Sequence, residues 1–226
     1  MNSSLLMSQA VEYMLAHGID EQTIFLVLIV PIIATIIAFA RQIIGVKTFG
    51  IYPSTIITLS FLAIGLKLGL LFFLLILAAG TLTRVAGQRV RLLYMPRMAL
   101  VLIAISLMIF FLIFVSSVLE QPAITGLSIL PILLLVVLTE KFIAAQIDQS
   151  SQAAIKLTIE TLALSIVCYF LASWPWFRQA LLGYPEIVLA TIVMNFLVGR
   201  WSGLRLVEYI RFRDVIKHAG PRHNQP

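Results

Sequence analysis

Charge is scarce in this chain. Only 12% of its 226 residues are Asp, Glu, Lys or Arg, about half the roughly 25% of a soluble domain. Cysteine is nearly absent. The single Cys168 lies inside an apolar run, which excludes an intrachain disulfide and a thiolate metal cluster. The three histidines, His17, His218 and His223, sit in peripheral segments. The aspartates are Asp20, Asp148 and Asp214. None falls at the centre of an apolar run, which excludes an intramembrane protease built on paired aspartates. No HExxH, phosphate-binding glycine loop or nucleophile elbow occurs. No catalytic residue, cofactor or metal site is therefore expected.

Apolar residues dominate instead. They make up 61% of the chain, and its mean hydropathy is +1.04. Several continuous runs approach the roughly 20 residues that cross a bilayer as helix. They do not alternate as barrel strands do. The expected fold is an all-α polytopic membrane bundle of about seven helices. The spans read as 24–40, 51–66, 68–82, 98–119, 127–148, 153–172 and 184–199. Pro31 lies inside the first and Pro131 inside the fifth.

Residues 1–23 are acidic and weakly amphipathic, and read as an extracytoplasmic helix on the membrane surface, with no basic start or cleavage site of a signal peptide. Asp20 is the expected N-cap of the first span. Trp174, Pro175, Trp176 and Arg178 read as an aromatic interfacial turn before the seventh. Residues 200–219 read as a basic amphipathic cytoplasmic helix, and 220–226 as a disordered tail.

Net charge is +6. Topology accounts for it better than nucleic acid does. Numbering the loops alternately puts fourteen of the sixteen Lys and Arg residues on one side, leaving Lys67 and Arg178 on the other. That asymmetry orients the N-terminus outside and the C-terminus in the cytoplasm. Spans two to four and five to seven carry similar glycine and proline signals, which suggests a 3+3 inverted repeat of the kind found in transporters.

The densest chemistry is RQIIGVKTFGIYP, residues 41–53. As a loop between two spans it combines Arg41, Lys47, Thr48 and Tyr52 with Gly45 and Gly50, and Pro53 opens the next helix. Charges inside spans are the other pointers to function. Folding spans five and six as a hairpin sets Lys141 opposite Glu160 and Glu140 near Lys156. These four could clasp the two helices or line a substrate site, with Glu186 at an outer vestibule. Asn195 reads as a helix–helix hydrogen bond.

RQIIGVKTFGIY, MPRMALVL (95–102), EKF (140–142), YPE (184–186) and GRWSGLRLVEYIRFR (199–213) resemble the bacterial seven-helix membrane domain usually fused to an inactive transglutaminase-like domain. The GIYP of the second span is more distantly similar to the small multi-pass subunit of poly-γ-glutamate capsule synthases. The resemblance implies a bacterial cytoplasmic membrane and an inactive domain outside it. Only a short acidic segment precedes the first span, so that domain is expected to be missing or encoded separately. The resemblance also implies a cytoplasmic ATP-grasp-type ligase as partner. The chain would then be a non-catalytic scaffold in envelope peptide or polyglutamate synthesis and export. Its docking residues would be Arg41, Lys47, Thr48, Tyr52, Arg84, Arg89, Arg91, Arg97, Arg200, Arg205, Glu208, Arg211 and Arg213. Other expected partners are the bilayer and further copies of the chain. The alternative is a small secondary transporter or channel using Glu140, Lys141, Lys156 and Glu160.

Overall fold

The computed structural model describes residues 4–87, 93–118, 128–148 and 151–200, and these are helical with short connections. They belong to two compact units, Met1–Ile51 with Arg178–Pro226, and Tyr52–Phe177.

In the first unit, α1 (Ser4–Ala16) precedes α2 (Glu21–Phe39). Val11 of α1 is buried, whereas Tyr13 is exposed. An apolar cavity of about 310 Å³ between α1 and α2 is lined by Met7, Val11, Met14, Ile24 and Val27. The long apolar side chains of α1 thus lie along the start of the first span. Asp20 occupies the N-cap position but makes no side-chain cap hydrogen bond. Its carbonyl does the work instead, accepting from the Thr23 and Ile24 amides at 3.0 and 3.3 Å.

The first span does not end at Ala40. A π turn, Ala40–Ile44, extends it to 24 residues, Glu21–Ile44. The Gly45 amide closes the wide turn on the Ala40 carbonyl at 2.9 Å. Gly45 then stops the helix at φ 95°, a left-handed conformation that glycine adopts without steric cost. Arg41 is therefore helical rather than part of the loop.

The last helix of this unit, α9, is Ile187–Gly199 and packs along α2. At 13 residues it is about 20 Å long, short of a hydrocarbon core of about 30 Å. It is preceded by α8 (Pro175–Gly183), and the two axes bend by 101°. The expected interfacial turn at 174–178 thus begins a helix, and the seventh span is a bent pair. Pro185 and the turn at 184–186 break the continuity. Proline restricts its neighbours and lacks an amide proton, so a tight bend falls there.

The second unit contains α3 (Ile51–Ile64), α4 (Leu66–Gly87), α5 (Tyr94–Val118), α6 (Ile129–Asp148) and α7 (Ser151–Ala172). Helix α4 packs on α5 and α6, and α6 on α7. Two glycines permit close approach. A Cβ at Gly69 would lie 2.5 Å from Phe61 Cδ1, and one at Gly80 would lie 2.8 Å from Thr139 Cγ2. Gly65, at φ 84°, breaks α3 from α4.

Helix α3 has only 14 residues, of which eight are buried, and its polar groups are hydroxyls turned on the backbone. The Thr58 hydroxyl donates to the Ser54 carbonyl at 2.9 Å. The Ser165 hydroxyl of α7 donates to the Ser54 and Thr161 carbonyls at 3.1 and 2.9 Å. Small hydroxylated residues let membrane helices approach closely and bond across the seam.

Five helices are long and apolar enough to cross a membrane. With the short α3 and the bent pair α8–α9, the described residues account for the seven segments expected. Apolar side chains on α5 face outward: Leu107, Phe110, Phe111 and Phe114 are all more than half exposed, as a lipid-facing surface requires. The chain is a multi-pass helical membrane protein.

Candidate functional site

The 41–53 motif builds a polar cavity in the first unit. Its volume is about 560 Å³, and its walls are Ala38, Arg41, Gln42, Val46, Lys47, Thr48, Ile51, Asn195, Val198 and Gly199. The π turn presents Arg41 and Gln42. Gly45 reverses the chain so that Lys47 and Thr48 return to the same wall. α9 closes the other side. π turns recur at functional sites because the extra residue displaces side chains from the regular helical register.

The wall carries two cations and no carboxylate. Arg41 is half-buried, and its guanidinium has no hydrogen bond or ion pair among the described residues. Lys47 is exposed, and Thr48 is buried. The Thr48 hydroxyl donates to the Gly50 carbonyl at a long 3.4 Å. Asn195 fixes the geometry: its Nδ2 donates to Thr35 Oγ1 at 2.7 Å and to the Thr191 carbonyl at 2.8 Å. Thr35 Oγ1 in turn donates to the Pro31 carbonyl at 2.7 Å. One amide thus ties α9 to α2, the helix–helix role its lone polarity suggested.

Spans five and six carry their charges differently from the expected clasp. Glu140, Lys141 and Lys156 are exposed and Glu160 is half-buried. No ion pair joins Lys141 to Glu160 or Glu140 to Lys156 among the described residues. The buried face of α7 carries Thr158, Thr161 and Ser165 rather than Lys156. Glu140 borders a small, mainly apolar cavity of about 90 Å³ with Met98, Val101, Leu102, Val137 and Thr139.

The buried polar node of this unit lies elsewhere. Arg84 donates from Nη1 to Gln146 Oε1 at 2.8 Å and from Nη2 to the Gln146 carbonyl at 3.1 Å. Gln146 Nε2 reaches Thr81 Oγ1 at 3.4 Å. Arg84 therefore braces α4 against α6. Sequence reasoning grouped it with the docking cations; Gln146, a polar residue two positions before the end of a span, was the available signal for its partner.

Arg97 is half-buried, and Tyr52 and Arg200 are exposed. Glu186 is half-buried at the start of α9, and its Oε1 has no hydrogen-bond partner among the described residues. Arg178 bonds Glu21 at 3.1 Å and lies 5.1 Å from the Phe25 ring centroid, an exposed pair of small energetic weight. Arg89, Arg91, Arg205, Glu208, Arg211 and Arg213 lie outside the described residues, as do the amphipathic segment 201–219 and the tail 220–226.

A sequence family described as seven transmembrane helices usually fused to an inactive transglutaminase matches residues 2–216 of the chain. No curated protein and no solved structure matches it.

Proposed function

We propose that this chain, which belongs to the family of seven transmembrane helices usually fused to an inactive transglutaminase, is a non-catalytic membrane subunit that docks a cytoplasmic ATP-grasp-type amide ligase. It would serve envelope peptide or polyglutamate synthesis, and export of the product, in a bacterial cytoplasmic membrane. One observation carries this reading: fourteen of sixteen cations fall on one side of the topology. Exposed Lys47 and Arg200 belong to that set. A folded soluble partner with an acidic face, or an anionic polymer, is attracted by such a surface. The family's usual fusion partner is itself inactive, which favours a scaffolding role.

The test is mild-detergent purification of the complex from its native membrane. Charge reversal at Arg89, Arg91 and Arg97 is expected to release a ligase that co-purifies with the unaltered chain, while membrane insertion persists. Equal recovery with both forms would count against docking through these cations.

The bent pair α8–α9 and the short α3 favour a second reading, transport, because interrupted helices build substrate sites in transporters. In that case Glu140→Gln or Glu160→Gln abolishes flux in reconstituted vesicles without unfolding the chain. Vesicles that show no substrate-dependent flux with any anion or amino acid would remove it.

A further inference from the structure

The cavity at the π turn shares Arg41, Lys47 and Thr48 with the proposed docking face, and its chemistry is set by one motif and the helix α9 beside it. We infer that it binds a phosphate ester through Arg41, Lys47 and Thr48. The source is either the phosphodiester headgroup of an anionic lipid or a soluble phosphate monoester.

Charge is the first reason. Arg41 is half-buried. A partly buried charge is costly unless an opposite charge meets it. Among the described residues no acid does, and the cavity wall contains none. Lys47 places a second cation on that wall. The Arg41 charge is thus left without an acid among the described residues, in a wall that carries two cations, and is complementary to a phosphate group.

Donor geometry is the second. An arginine fork, a lysine point charge and a hydroxyl together suit a tetrahedral anion with several acceptor oxygens. The Thr48 hydroxyl is buried, and its 3.4 Å contact to Gly50 is weak enough to exchange for a phosphate oxygen.

Size is the third. A volume of about 560 Å³ lies within the usual range for organic ligands, roughly 300–1,000 Å³. It far exceeds a bare phosphate ion. Ala38, Val46, Ile51 and Val198 supply apolar wall for the organic remainder of an ester. The cavity also lies where an apolar span ends.

The test uses the full chain in a neutral maltoside detergent at fixed ionic strength. Thermal stabilisation is titrated with dihexanoyl phosphatidylglycerol, glycerol 3-phosphate, inorganic phosphate and an oligomer of γ-linked glutamate. Saturable stabilisation by one of the two esters is expected, with about tenfold weaker binding in Arg41→Gln and in Lys47→Gln, as loss of one charge-assisted hydrogen bond predicts. Preference for phosphatidylglycerol identifies a lipid, and preference for glycerol 3-phosphate a soluble ester. Lys47 is exposed, so Lys47→Gln carries the test if Arg41→Gln fails to fold. The inference is overturned by unchanged ester affinity in Lys47→Gln, by no saturable ester binding, or by preference for inorganic phosphate. Preference for the glutamate oligomer also overturns it while favouring the synthase reading. Ligase recovery is measured separately and is not altered by any of these outcomes.

Discussion

In the unit Tyr52–Phe177 the buried hydroxyls of Thr58 and Ser165 close on backbone carbonyls, and Arg84 closes on Gln146. In the unit built on α2 and α9, Arg41 closes on nothing among the described residues, and its neighbour across the cavity wall is another cation. Arg84 and Arg41 handle their charge in opposite ways. A buried polar group satisfied from within acts as a joint between helices. A charge left for an outside partner marks where a ligand can contribute. The comparison also separates Arg84 from Arg41, which the topology count alone treats as equivalent cations.

The largest expected effect is steric and lies in the closed unit. Gly69→Ala forces a methyl into the Phe61 ring, and Gly80→Ala does the same against Thr139. Each is expected to cost about 1–3 kcal/mol through overpacking, read as a lower melting temperature in detergent. Gly183→Ala, with open space around it, should change little.

Next comes the Arg84 node. Arg84→Ala leaves two Gln146 acceptors without their donor and should cost about 1–3 kcal/mol. Pairing Arg84→Met with Gln146→Leu should recover most of that loss. A double variant as unstable as the sum of the two singles would mean that Arg84 and Gln146 act independently.

Ser165→Ala is smaller still, about 0.6 kcal/mol, the average for a hydrogen bond between membrane helices. Asn195→Leu should be similar, since each removes one inter-helix bond. A much larger loss for Asn195→Leu would make it the pin of the first unit rather than an ordinary contact.

Smallest of all is the effect of Arg41→Gln on stability without ligand, within about 0.5 kcal/mol of zero. A melting temperature that falls as far as in Arg84→Ala would break the comparison, because Arg41 would then be structural.

The spans were legible because apolar runs and their lengths follow from the bilayer itself. The start of α3 at Ile51 and the end of α7 at Ala172 agree with hydropathy. The lone polarity of Asn195 was a reliable sign of a helix contact. The π turn was not legible. Arg41 and Gln42 are polar, and polarity at the end of an apolar run reads as loop. The wide turn is made by backbone bonds such as Gly45 to Ala40, which leave no trace in composition. The expected clasp failed for a related reason. Opposite charges in facing spans look paired from spacing alone, but Thr158, Thr161 and Ser165 hold the buried face of α7, and Lys156 is exposed. Which side of a helix a charge takes is decided by the smaller groups that must pack.

The π turn also bears on chain length. A wide turn is an α-helix holding one residue more than its hydrogen-bond ladder needs. Deleting a single residue between Gln42 and Ile44 would let Ala40–Ile44 wind as ordinary helix while α2 and the chain beyond Gly45 kept their places. The span would survive the deletion, but the side chains of the turn would rotate out of step with Lys47. At this one point the protein can lose a residue and keep its architecture, and what it gives up is only the alignment of two charges.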